Sequence, residues 1–207
     1  MAYSQIKQRL LALSVVDALR IWTDDRYRRC LPTKRAFDAT WFDDFLRTWG
    51  VARTVRKEKQ SRLLAYFNGR RFRDSITQDK DGTAITAAAK ELASKGWTHR
   101  HRIPLSLVSK IAFFLRPERY VPLDGFSLRG LRNLSGARLA SRRYEHYLNA
   151  FNRVFDDNRV PIRTATTSDW ATALAGEMGC RPTVLRSPAF RHKVLDNVLM
   201  RLGGRGR

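Results

Sequence analysis

The chain has 207 residues, with 40 Lys and Arg against 19 Asp and Glu, a formal charge of +21, and 43% apolar and 11% aromatic residues. That apolar share can bury a core and excludes a disordered basic tail, while the charge exceeds what solubility needs and makes nucleic acid, DNA foremost, the default partner over RNA, the ribosome or an anionic membrane. Cys30 and Cys180 stand far apart and alone, so they build neither a disulfide framework nor a zinc knuckle, and both are expected as reduced packing residues of a cytoplasmic protein, nucleoid-associated if bacterial.

Ile6, Leu10, Leu13 and Asp17 with Ala18 predict one face of a first helix. The apolar run 10–16 contains Ser14 and is followed by Asp17 and Arg20, which reads as an amphipathic helix rather than a signal peptide, and no segment approaches a membrane span. Asp38 is the expected N-cap of a second helix, its early acids suiting the positive helix end, and Gly50 its stop. The block 51–75 is dense in Arg53, Arg56, Lys57, Lys59, Arg62, Arg70, Arg71 and Arg73, interleaved with Leu63, Leu64, Tyr66 and Phe67. It reads either as a phosphate-contacting surface or as a solvated charged face.

Asp79-Lys80-Asp81-Gly82 is the clearest linker, dividing the chain into an N-terminal helical lobe with a basic surface, 1–80, and a second helical region, 81–207, with a basic tail. An alanine-rich helix over 83–95 should end at Gly96, and a basic lead, Trp97 to Arg102, carries Arg100 and Arg102 as further phosphate contacts. The stretch 103–126 then sets Lys110 near the start of an apolar helix and Asp124 on a Val-Pro-Leu-Asp turn beyond its end; Arg129 and Arg132 follow on the next helix. Tyr144, Tyr147, Leu148, Phe151 and Phe155 fall at helical spacing and read as core. Val160-Pro161 breaks that helix, Ser168 can cap another through Met178, 181–186 reads as a short extended piece, and Ser187-Pro188 opens a helix over 189–202 before a frayed basic end. No run alternates long enough to build a sheet, so the fold class is all-α.

The order Ser109-Lys110, apolar helix, Tyr120-Val121-Pro122-Leu123-Asp124, helix with Arg129 resembles the helix-hairpin-helix DNA glycosylases, in particular those of the 8-oxoguanine DNA glycosylase fold, over about 103–134. The resemblance implies two helical lobes around a basic cleft and base excision in DNA repair, with Lys110 as nucleophile and Asp124 as the catalytic carboxylate. Where that family has two hairpin glycines this chain reads Ser106-Leu107-Val108, and the spacing from Lys110 to Asp124 is about one helical turn shorter.

The chemistry fits the pair. An apolar, cation-rich setting favours a neutral, nucleophilic amine, which attacks a deoxyribose C1′ to form a Schiff base, while a carboxylate stabilises the positive sugar as the flipped base leaves. Each residue also has a plain role: Lys110 at the helix edge with its ammonium in water, Asp124 as the N-cap of the following helix. Trp97, Phe113 and Tyr120 are the aromatic candidates for a wedge into the gap left by a flipped base. His99 and His101 lack a third ligand, so no metal is expected, and no cysteine cluster calls for an iron–sulfur cofactor. Two other functions stay open: a non-catalytic DNA-binding protein on the same scaffold, in genome defence or regulation, and an RNA-binding protein.

Overall fold

The computed structural model describes residues 6–24, 36–99, 103–136, 139 and 143–204. Among these the chain is all-α, running α1 (Gln8–Thr23), α2 (Ala39–Thr48), α3 (Gln60–Asn68), α4 (Arg70–Gln78), α5 (Thr83–Ser94), α6 (Leu105–Leu115), α7 (Gly125–Ser135), α8 (Tyr144–Asp157), α9 (Arg159–Thr166), α10 (Asp169–Glu177), α11 (Pro182–Leu185) and α12 (Pro188–Leu202), with 3-10 turns at Ala52–Thr54 and Lys57–Lys59. A lone antiparallel bridge, Val55 to Thr98, is the one extended pairing among the described residues.

Side-chain caps start several of these helices. Asp38 accepts from the Trp41 amide at 2.8 Å ahead of α2, and Ser187 accepts from the Phe190 amide at 3.2 Å ahead of α12, with Pro188 in the first turn where a missing N–H is harmless. Between α4 and α5, Asp79 Oδ1 accepts from the Gly82 amide at 3.2 Å, and Gly82 takes φ +92°, a left-handed conformation that glycine adopts without a Cβ penalty. Ser168 holds the N-cap position of α10, but its hydroxyl donates to the Ala165 carbonyl instead of capping. Pro161 lies in the first turn of α9, so it opens a new helix after α8 ends. The segment 181–186, expected to be extended, contains the short helix α11, because Pro182 at its first position presets a helical φ.

The helices group into two compact units. Unit 2 comprises Arg29–Leu123 and Ser141–Glu145, so the Asp79–Gly82 turn lies inside it; unit 1 comprises Met1–Arg28, Asp124–Ala140 and His146–Arg207. Unit 2 has an aromatic core. Trp41 stacks on Phe45 at 5.1 Å, and Phe114 of α6 meets Phe45 and Trp49 edge-on at 5.7 and 5.0 Å. α6 is buried on nearly every side, as its continuous apolar sequence requires. The Tyr144 hydroxyl accepts from the Val121 amide at 3.0 Å and donates to the Val121 carbonyl at 2.8 Å, satisfying both main-chain groups of a residue outside any helix.

In unit 1, α12 is the central helix, packed against α1, α7 and α9. On α1 the buried stripe is Leu11, Ser14, Val15, Ala18 and Leu19; of the residues expected on that face Ala18 is buried, as is Ile6 just ahead of the helix, while Leu13 is 41% exposed. α12 buries an ion pair, Lys193 Nζ to Asp196 Oδ2 at 2.5 Å, and reaches α1 through Asn197 to the Ser14 carbonyl and Arg201 to Asp17. It meets α7 almost backbone to backbone: a Cβ on Gly130 would lie 1.8 Å from the Leu199 carbonyl oxygen. Gly130→Ala would gain about 1 kcal/mol of helix propensity. The clash reverses that sign, and urea unfolding should show a net loss of about 2–3 kcal/mol; an unchanged midpoint would mean that α7 does not rest on α12 here.

Candidate functional site

Lys110 follows Ser109 on α6 and is only 7% exposed, so the reading with its ammonium in water is set aside. Its Nζ donates to the Trp49 carbonyl oxygen at 2.7 Å. Trp49 is the C-cap of α2, where helix carbonyls lack intrahelical partners and the dipole is negative, a favourable seat for a cation. The adjacent Ser109 hydroxyl accepts from the Leu123 amide at 3.0 Å, which ties the end of the Val-Pro-Leu turn to α6.

Asp124 is the N-cap of α7. Its Oδ1 accepts from the Phe126 and Ser127 amides, both at 2.8 Å, and the Ser127 hydroxyl accepts from the Asp124 amide at 3.1 Å, a reciprocal capping box. Among the described residues no hydrogen bond falls on Oδ2, and the cap fixes the direction in which that oxygen points. Lys110 belongs to unit 2 and Asp124 to unit 1.

The expected phosphate contacts divide by environment. In unit 2, Arg53, Lys57, Arg62 and Arg71 are exposed and Arg56 and Lys59 half-buried, and none of the six forms an ion pair among the described residues. Arg70 instead pairs with Asp74 at 3.2 Å, an exposed pair that water easily replaces. Arg73 lies over the Phe37 ring at 5.1 Å. In unit 1, Arg129 donates from Nε to the Gly203 carbonyl at 3.1 Å with its guanidinium 4.7 Å from the Phe126 ring, and Arg132 donates to the Leu139 carbonyl at 2.7 Å. Arg100, His101 and Arg102 lie outside the described residues, as do Cys30 and the basic end 205–207; Cys180 is buried.

Of the wedge candidates, Phe113 and Tyr120 are core residues and cannot enter a base stack without unpacking unit 2. Burial and the Asp79 carboxylate, 2.9 Å from the Tyr120 hydroxyl, push that phenol's pKa up. Trp97 is half-buried under Lys95, whose Nζ is 4.9 Å from the ring and 2.7 Å from Glu91. Burial and the Glu91 acceptor likewise push the Tyr66 phenol up. Among the described residues the exposed aromatic beside a cation is Phe126, 39% exposed under Arg129, which sequence reasoning passed over; its position two residues after the N-cap Asp124 was the available signal. It also passed over Arg159, Arg163, Arg186 and Arg191, which come together in unit 1.

No protein-family model, curated protein or solved structure matches the chain. Among the described residues no helix is long and apolar enough to cross a membrane, and no group of three or more His, Cys, Asp or Glu side chains could hold a metal ion.

Proposed function

We propose that this chain is a DNA-binding protein that neutralises backbone phosphates with exposed arginine and lysine side chains of unit 2. The observation that carries the reading is the surplus of positive charge combined with its small internal use: the formal charge is +21, and Arg53, Lys57, Arg62 and Arg71 stand exposed without an ion pair among the described residues, Arg71 within electrostatic reach of Glu91. A triple variant, Arg53→Gln with Arg62→Gln and Arg71→Gln, tests it. If each guanidinium contacts a phosphate, the slope of log affinity against log salt for a labelled duplex becomes shallower by about one per residue removed. A slope equal to that of the parent protein would show that this face does not meet DNA.

The glycosylase-like reading is favoured by two features of the Lys110 and Asp124 environments. An amine is held in an apolar helix, where its bond to the Trp49 carbonyl favours the ammonium and must break before the amine can act, and the aspartate of the other unit keeps one carboxylate oxygen outside its capping box. In that reading the C1′–N bond breaks as the base departs with a proton, the Lys110 amine, its own proton given to water, bonds to C1′, and the C1′–O4′ bond then opens to the Schiff base as O4′ takes a proton. Borohydride reduction in the presence of an abasic duplex would then leave a covalent adduct with the parent chain and none with Lys110→Met, which keeps the side-chain length and the apolar contacts of α6. No adduct with the parent chain removes the lyase chemistry and leaves a non-catalytic DNA-binding protein.

A further inference from the structure

Arg159 and Arg163 sit four residues apart on α9, a spacing that puts both side chains on one helix face. α9 packs against α12, and so does α11. Arg186 follows α11 directly and precedes Ser187, the N-cap of α12; Arg191 lies one turn into α12. Three elements thus carry the four arginines, and Arg159, Arg163 and Arg186, all exposed, lie near enough to Arg191 to act on its charge.

The group is unusual in what it lacks and in what it spends. None of the four arginines forms an ion pair among the described residues, although Arg201 on the same helix α12 pairs with Asp17. Asp156 and Asp157 close α8 just before Arg159 without forming an ion pair with any of them. Arg191 Nε is shielded from water and has no hydrogen-bond partner, a cost that folding normally avoids. Burial, and then the neighbouring charges of Arg163, Arg159 and Arg186, hold its pKa below the usual arginine value, so like charges are close enough to repel. Folding therefore assembles four positive charges and leaves a shielded donor unused.

We propose that Arg159, Arg163, Arg186 and Arg191 form a phosphate-binding site on unit 1. A guanidinium is a planar fork that grips phosphate oxygens through two parallel N–H bonds, and it stays charged where an ammonium could be neutralised. A phosphate group relieves the mutual repulsion of the four cations and offers oxygens to the arginine donors. The same chemistry is presented by a nucleic-acid backbone and by a free oligophosphate. The site lies on residues apart from the 53–71 run and stands whether or not that run binds DNA.

The test uses the full chain and two probes, sodium tripolyphosphate and a labelled DNA duplex, at fixed ionic strength with chloride as the control anion. Arg159→Gln with Arg163→Gln removes two exposed charges without touching the core, and circular dichroism confirms that the helices persist. Tripolyphosphate should bind the parent chain saturably and raise its melting temperature. Affinity should fall at least tenfold in the double variant and be unchanged in the Arg53, Arg62 and Arg71 triple variant. If the double variant also loses duplex affinity, the site seats backbone phosphates. If only tripolyphosphate binding is lost, its ligand is a free oligophosphate. Loss of duplex affinity without any tripolyphosphate binding supports the site through the backbone alone. Tripolyphosphate binding that survives the double substitution overturns the proposal. So does a parent chain that ignores tripolyphosphate while both proteins bind the duplex equally, and that last result leaves the DNA-binding reading intact.

Discussion

The affinity for a short DNA duplex is expected to fall on the order of a thousandfold or more between about 50 and 200 mM salt if roughly 6–10 phosphates are contacted. The reason is entropic: each phosphate neutralised by a protein cation releases condensed counterions, and added salt removes the gain from that release. A chain of formal charge +21 in which the exposed Arg53, Arg62, Arg159, Arg163 and Arg186 form no ion pair among the described residues has the cations for such a count. Neutral hydrogen bonds to base edges would depend on salt far less. Fluorescence anisotropy across a salt series measures the slope directly, and binding that ignores salt, or no binding at low salt, would remove nucleic acid as the partner.

Asp196→Ala should destabilise the protein by about 3–5 kcal/mol, because it removes the carboxylate paired with the Lys193 ammonium in the packed interior of unit 1. Against a typical stability of about 5–15 kcal/mol, that is a large fraction of the total. The attraction within the pair is not what is lost; desolvating two ions offsets most of it. Replacing both partners, Lys193→Met with Asp196→Leu, should therefore bring stability back to within about 1–2 kcal/mol of the parent chain. Urea unfolding of the two single variants and the double variant decides the matter. A double variant as unstable as Asp196→Ala would show that the pair is needed for packing rather than tolerated by it.

Helix ends were legible because their chemistry is local. Asp38, Ser187-Pro188, Gly50 and Gly96 each act on backbone groups within a few residues, and each stands at the end of a helix. The phase of α1 was not legible: the run 10–16 is apolar at nearly every position, so several faces qualify, and the choice, which buries Leu11, Val15 and Leu19, falls to the helices packed against α1, α12 chief among them. The same ambiguity hid the direction of Lys110, since α6 is apolar all round and no polar face marks where a lysine must point. Asp124 could be read as a cap from its place before an apolar run, and its box with Ser127 is the local outcome. The four-arginine group could not be read at all, because it depends on α9, α11 and α12 meeting in space, and nothing in the spacing from Arg163 to Arg186 announces it.

The Asn197 to Ser14 and Arg201 to Asp17 contacts join positions 183 and 184 residues apart, and that separation orders events in time. At a synthesis rate of about 5–20 residues per second, α1 would leave the ribosome roughly ten to forty seconds before α12. Most of unit 2 is a single stretch made in between, so its contacts are the more local and close sooner. Through that interval Leu11, Val15, Ala18 and Leu19 have no α12 to cover them. The nascent chain thus carries a bare apolar stripe at its leading end, a target for holding chaperones or for a neighbouring nascent copy, and a message cut short ahead of α12 would leave that stripe exposed for the lifetime of its product.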